Sequence, residues 1–130
     1  MGCGWFGSAL AKSLVADGYE VRGSVTTQQK AKLLAHDHIR GYVIRLGEEA
    51  FLNTQSDFWN CDTLIIASNV KLASNSGYVR SLNCVLDIIR KQGIAKTIFV
   101  SSTSVYAEPN KVVDESTCCV PGNSSAHVLL

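Results

Sequence analysis

Gly2-Cys3-Gly4-Trp5-Phe6-Gly7, at the head of a 130-residue chain, decides how the rest is read. In this Gly-x-Gly-x-x-Gly spacing the first glycine permits a tight turn, the second lets backbone approach a bound group, and the third lets a helix pack closely on a sheet. A helix does follow: Ala9, Leu10, Ser13 and Leu14 recur at helical spacing until Asp17-Gly18, where glycine is a natural terminator. The amides of Trp5 and Phe6 then stand at a helix N-terminus, where unpaired N–H groups and the helix dipole favour an anion. Trp5 itself is expected to pack against apolar neighbours.

Outward from this loop, short β-rich runs alternate with amphipathic stretches, the order of βαβ units around a parallel sheet. Tyr19 to Val25 alternates as a strand, and a helical piece runs from about Gln28 to Ala35 with Thr27 as its N-cap. Gly41 to Leu46 reads as the next strand. Gly47 to Asn60 reads as a connection with one short helical turn, whose Phe51, Leu52, Phe58 and Trp59 tuck under the sheet. Thr63 to Ala67 is an almost unbroken apolar run, the pattern of a strand covered on both faces. Tyr78, Leu82, Val85, Leu86 and Ile89 fall on one face of a helix that stops at Gly93, and Lys96 to Val100 reads as a second buried strand. The segment with Pro109 and Pro121 reads as a long loop, with a further helix beginning near Ser124.

The fold class expected is therefore α/β, a Rossmann-type doubly wound parallel sheet in one domain over residues 1–130. A glycine fingerprint normally follows a hydrophobic strand, and only Met1 precedes this one. The first, central strand is thus expected to be absent, as is the C-terminal part of the sheet, and the chain is read as a fragment. A complete small domain with a replaced first strand is the alternative.

Composition narrows the function classes. Twelve basic and eleven acidic residues leave a net charge of +1, so no overall field draws nucleic acid or an anionic membrane. No apolar run approaches the roughly 20 residues of a membrane helix, and no secretory signal opens the chain. Five cysteines, at positions 3, 61, 84, 118 and 119, form no Cys-x-x-Cys pair, and an odd count argues for free thiols in a reducing cytoplasm. Neither they nor His36, His38 and His127 show metal-ligand spacing, so no metal is expected.

At the end of the second strand of such a unit, a carboxylate would hold the 2′-hydroxyl of NAD. Here that strand ends Ser24-Val25-Thr26-Thr27, and Glu20 lies at its beginning. Small hydroxyl residues with Arg22 or Lys30 nearby favour a 2′-phosphate, so NADP is preferred to NAD. The other reading of the same residues, as turn and cap residues only, stands beside it.

The segment Phe99-Val100-Ser101-Ser102-Thr103-Ser104-Val105-Tyr106, continued by Val113-Asp114-Glu115, resembles a stretch of the extended and atypical short-chain dehydrogenase/reductases, the NAD-dependent epimerase/dehydratase group. Together with Gly2 to Gly7 and Gly23-Ser24-Val25-Thr26-Thr27-Gln28, it is similar to the YeeZ-like atypical subgroup. The resemblance implies that Ser102, four positions before Tyr106, contacts the reacting carbonyl or hydroxyl of a substrate; a strand-end serine bonding local backbone is the structural alternative. It implies cofactor contacts at Gly2, Gly4, Trp5, Phe6 and Gly7 for the pyrophosphate, Thr26 near the adenosine ribose, Ala67 and Ser68 at the end of the fourth strand, and Ser101 near the nicotinamide ribose. Tyr106 is expected to pack, because the family's catalytic tyrosine lies further on, in a Tyr-x-x-x-Lys pair. Counting along the resemblance puts that pair at Ser125 and Leu129, which cannot supply it. Ala107 also replaces the usual glycine after Val-Tyr. The functions that follow are an NAD(P)-dependent oxidoreductase or epimerase/dehydratase acting on a small molecule, nucleotide sugars included, or a non-catalytic dinucleotide-binding regulator. A chain too incomplete to fold stably is the third reading.

Overall fold

The computed structural model describes residues 1–46, 56–68, 75–106 and 112–119. Phe51, Leu52, Ala107, Pro109, Pro121, Ser125, His127, Leu129 and the helix expected near Ser124 lie outside the described residues.

The element order is α1 (Trp5–Ala16), β1 (Arg22–Val25), α2 (Gln28–Leu34), β2 (Arg40–Val43), β3 (Thr63–Ile66), α3 (Asn75–Gln92) and β4 (Lys96–Phe99). Short 3₁₀ turns cover Ala35–Asp37, Ser56–Trp59 and Thr103–Val105. This is the expected α/β alternation with every strand pair parallel. β1 pairs with β2 in the register Arg22 to Arg40 through Val25 to Val43, and β3 pairs with β4 from Thr63 to Lys96 through Ile66 to Phe99.

Local chemistry sets the element ends. α1 closes at Asp17, and Gly18 takes φ +87° so that its amide and that of Tyr19 reach back to the carbonyls of Val15 and Leu14. Closing this turn uses Tyr19, which stands 64% exposed, and the strand begins only at Arg22, later than the alternation suggests. α2 starts where expected, with the Thr27 hydroxyl accepting from the Lys30 amide at 3.3 Å. α1 packs through Leu10, Ala11, Leu14 and Val15, while Ala9 and Ser13 face outward.

Two apolar clusters form the core. Ala11, Val25, Ala31, Leu34 and Ile39 join α1 and α2 to β1. Tyr42, Ile44, Phe58, Trp59, Leu64, Ile66, Val85 and Ile94 join β2, the Ser56–Trp59 turn, β3 and α3. Phe58 and Trp59 are buried as anticipated, with their rings edge to face at 5.0 Å. The Tyr42 hydroxyl donates to Asp57 at 2.7 Å, and Arg40 pairs with the same carboxylate oxygen at 2.8 Å, which fastens this turn to β2.

Three packing expectations are corrected. β4 is exposed along its whole length, with Ile98 at 40% and Phe99 at 39%, because no described element covers it. Leu86, placed on the buried face of α3, is 43% exposed: Tyr78 and Val85, at 0%, are the residues that face the core, and Leu86 lies beside that stripe. Trp5 is 95% exposed, since the first turn of α1 projects beyond the strands it would have to pack against.

The two strand pairs are joined at their C-terminal ends by the first three residues. The Met1 amine donates to the Ile65 carbonyl and the Met1 carbonyl accepts from the Ala67 amide at 2.8 Å, the bonding pattern of a parallel pair. Cys3 then crosses to β1, its amide reaching the Ser24 carbonyl at 2.7 Å. No helix among the described residues is long and apolar enough to cross a membrane.

Candidate functional site

Every residue of the expected binding set lies at or just beyond a strand C-terminus, in the loop leading to α1 or in the first turn of α1. The loop is held from below by Ser24, a 2% exposed side chain whose hydroxyl accepts the Gly2 amide at 3.0 Å. The Ser8 hydroxyl closes it from the other side by donating to the Cys3 carbonyl at 3.0 Å. The Cys3 thiol packs so tightly on β1 that a Cβ on Gly23 would come within 2.7 Å of its sulfur. Burial pushes that thiol above the ordinary cysteine range, which keeps it neutral beneath the loop.

The three fingerprint glycines have separable tasks. Gly2 takes φ +90°, and a Cβ there would lie 2.9 Å from the backbone of Ala67 and Ser68, so only glycine permits the loop to touch the end of β3. Gly7 would place a Cβ 2.2 Å from the Gly2 carbonyl oxygen. Its task is to let the loop close on itself, with Ala67 on the sheet at an ordinary 3.8 Å, rather than to bring helix and sheet together as the spacing suggests. Gly4, by contrast, meets nothing: a Cβ there has no protein atom within 4 Å.

That open position sits at the N-cap of α1, where no side chain caps the helix and no acidic residue occupies the first turn. The first intrahelical bond runs from the Ser8 amide to the Gly4 carbonyl at 2.9 Å, and among the described residues the amides of Trp5, Phe6 and Gly7 meet no backbone acceptor. Beside them, at the end of β3, the Ser68 hydroxyl is buried with no hydrogen-bond partner. Uncapped amides, free space above Gly4 and an orphaned hydroxyl next to Gly2 fit the pyrophosphate and neighbouring ribose of a dinucleotide. The Trp5 and Phe6 side chains, 95% and 48% exposed, flank this position.

Thr26 follows β1 and is exposed. Arg22, offered by the sequence as a phosphate partner, belongs elsewhere: it opens β1 at the opposite end, where it pairs with Glu20 at 2.9 Å and donates to the Asn60 carbonyl. The cation that does reach Thr26 is Arg45, whose Nε donates to the Thr26 carbonyl at 2.8 Å. Sequence reasoning passed over it because it lies after a different strand. The available signal was positional: in a parallel sheet the residue just beyond β2 stands beside the residue just beyond β1.

Ser101 and Ser102 follow β4 and are exposed on the same rim, with the Val100 amide held by the Ile66 carbonyl at 2.9 Å. The Ser102 carbonyl accepts from Val105 at 3.3 Å in the 3₁₀ turn that ends the segment. Tyr106 is half-buried and its hydroxyl donates to the Asp114 carbonyl at 3.3 Å, tying two surface segments together. Asp114 in turn accepts from the Ser116 amide and hydroxyl and from the Thr117 hydroxyl, bonds that hold its carboxyl below the usual range. All five cysteines are free thiols, and no metal-binding cluster occurs among the described residues.

Parallel strands alternating with helices, with a glycine-rich loop leading into α1 at the strand ends, define a Rossmann-type α/β fold. The model of the NAD dependent epimerase/dehydratase family matches residues 2–125, and the chain belongs to that family, which implies a nicotinamide dinucleotide as cofactor. It is 31% identical over 133 residues to Protein YeeZ of Escherichia coli strain K12 and, to the same extent, to Protein YeeZ of Escherichia coli O157:H7. These alignments take in 99% of the chain and 48% of each relative, so the chain spans about half the length of the curated relatives it matches.

Proposed function

We propose that this chain forms the cofactor-binding part of an NAD(P)-dependent oxidoreductase or epimerase/dehydratase that acts in the cytoplasm on a small-molecule substrate, nucleotide sugars being one candidate class. The observation that carries this reading is the space above Gly4, into which the unbonded first-turn amides of α1 open. In it, those amides hold the pyrophosphate, Thr26 meets the adenosine ribose, Ala67 and Ser68 bound the middle of the cofactor, and Ser101 meets the nicotinamide ribose. When bound, the cofactor supplies the hydride chemistry. The chain's own contribution is to orient it and, through the Ser102 hydroxyl on the same rim, to hold a substrate oxygen beside it.

NADP is the preferred cofactor, because the Arg45 guanidinium is anchored on Thr26 where a 2′-phosphate would lie. A second reading, a dinucleotide-binding regulator without catalysis, is favoured by one feature: Ser125 and Leu129 stand where the resemblance places the catalytic Tyr-x-x-x-Lys pair. Turnover of a carbonyl and sugar-nucleotide panel with NADPH, compared between the chain and its Ser102→Ala variant, separates the two. The enzyme reading expects turnover that falls in the variant with cofactor affinity unchanged; equal activity in the variant removes Ser102 from its role, and no turnover on any substrate favours the regulator.

A further inference from the structure

Residues 112–119 follow β4 in the chain and are anchored through Asp114. One oxygen of its carboxylate accepts from the Ser116 amide at 3.0 Å, the Ser116 hydroxyl at 2.7 Å and the Thr117 hydroxyl at 3.1 Å. The Thr117 amide returns to the Asp114 carbonyl at 3.1 Å, and the Thr117 hydroxyl also takes the Asp114 amide at 3.0 Å. Tyr106 donates to the same carbonyl from the segment that carries Ser101 and Ser102. The backbone is thus held as far as Thr117, which is half-buried. The next two residues are both cysteines, and both are exposed.

In an extended chain, neighbouring side chains point to opposite sides. Here the Cys118 thiol turns forward instead and donates to the Cys119 carbonyl at 3.9 Å, so its sulfur lies over the next residue. Among the described residues, this is the only hydrogen bond that either thiol makes. The other three cysteines, Cys3, Cys61 and Cys84, are partly buried, and burial raises the Cys3 and Cys61 thiols above their ordinary range, which leaves little thiolate there to attack. The accessible thiols are therefore the adjacent pair. A disulfide within it would have to bring the sulfurs to about 2.05 Å across a single peptide unit, which strains the ring. One atom set between the sulfurs relieves that strain, and thiolates, being soft ligands, favour a soft, thiophilic atom.

We propose that Cys118 and Cys119 form a dithiol site that captures a monosubstituted trivalent arsenical, R–As(OH)₂. Both S–H bonds and both As–O bonds break, two As–S bonds form and two waters leave; arsenic stays trivalent and no electron is transferred. Because the organic group fills the third position at arsenic, two sulfurs complete the site and no third side chain is required. Once one sulfur is bound, the other closes the ring from the adjacent residue, at an effective concentration far above that of a thiol free in solution. The turn at Asp114 adds to this by fixing the chain that leads into the pair. The site stands apart from the cofactor reading and does not depend on it.

Phenylarsine oxide, which hydrates to this form, is the probe, and intact mass of the full chain, with competition by ethanedithiol, is the readout. One adduct per chain is expected, stable to excess mercaptoethanol and removed by ethanedithiol. Cys118→Ser and Cys119→Ser are each expected to weaken capture by about 100-fold or more, since each leaves a single sulfur at the site. Cys84→Ser is expected to leave it unchanged. Both serine substitutions fall on exposed side chains, and melting curves that match the parent's confirm that the fold is kept. Parent-like affinity in either single variant overturns the proposal. So does a mercaptoethanol-stable adduct in the double variant Cys118→Ser, Cys119→Ser, which would assign the arsenic to the partly buried thiols.

Discussion

The two strand pairs are built differently. β1 is buried through Gly23, Ser24 and Val25, α2 packs on it, Thr27 caps that helix and Arg45 is anchored on Thr26. β4 is exposed throughout, and Ser101 and Ser102 beyond it stand in solvent. The β1 end thus takes its shape from local backbone bonding and close packing. The β4 end presents a rim whose cover no described residue supplies.

If the first side is as constrained as this contrast says, its glycines should break it in two distinguishable ways. Gly7→Ala has the largest expected effect: a Cβ 2.2 Å from the Gly2 carbonyl forces the loop open, so NADPH binding is lost and Tm falls together. Gly4→Ala meets no protein atom, so thermal unfolding should be unchanged while NADPH binding is still lost. Isothermal titration and thermal melts on both variants check this, and a Tm drop in Gly4→Ala would show that its glycine serves the fold instead. Next in size, Arg45→Gln should weaken NADPH by about tenfold, the value of one charge-assisted contact, and leave NADH within error. Equal losses for both cofactors would make Arg45 a strut for Thr26 only.

The smallest expected effect probes the turn beneath β2. The Tyr42 hydroxyl bond, with Arg40 beside it, holds Asp57 below the usual carboxylate range. A carboxyl whose pKa is lowered by folding contributes stability that is present above its unfolded value, near pH 3.9, and lost as pH falls through the folded one. Tyr42→Phe should therefore lower Tm slightly at neutral pH and show a shallower loss below about pH 4 than the parent, as read from urea melts across pH. Parallel acid limbs in the two proteins would mean that Asp57 draws nothing from this bond.

Much of this was legible in the residues. Glycine spacing, a helix ending at Asp17-Gly18 and the run at Thr63 to Ile66 specify local structure strongly, and the strand and helix order came out in sequence. What escaped depends on neighbours. Lys96 to Val100 reads as buried because apolar composition cannot reveal whether another element packs on the strand. Trp5 reads as core because large aromatics usually are, whereas its place in the first turn of α1 lifts it clear. Arg22 was credited to the site by its nearness in sequence to Thr26, yet along a strand a few residues separate opposite ends of the sheet, and Arg45 is the side chain brought alongside. The tasks of Gly4 and Gly7 likewise separate only when the atoms around each are known.

The central claim is that the first-turn amides of α1 bind the cofactor pyrophosphate, and amide NMR of the ¹⁵N-labelled chain during titration with NADPH tests it most directly. The account predicts that Trp5, Phe6 and Gly7 shift first and furthest, with Thr26, Ser68 and Ser101 following along the rim, while Asp114 and the 3₁₀ turn at Ala35–Asp37 stay still. Saturable shifts that leave Trp5, Phe6 and Gly7 unmoved would contradict it.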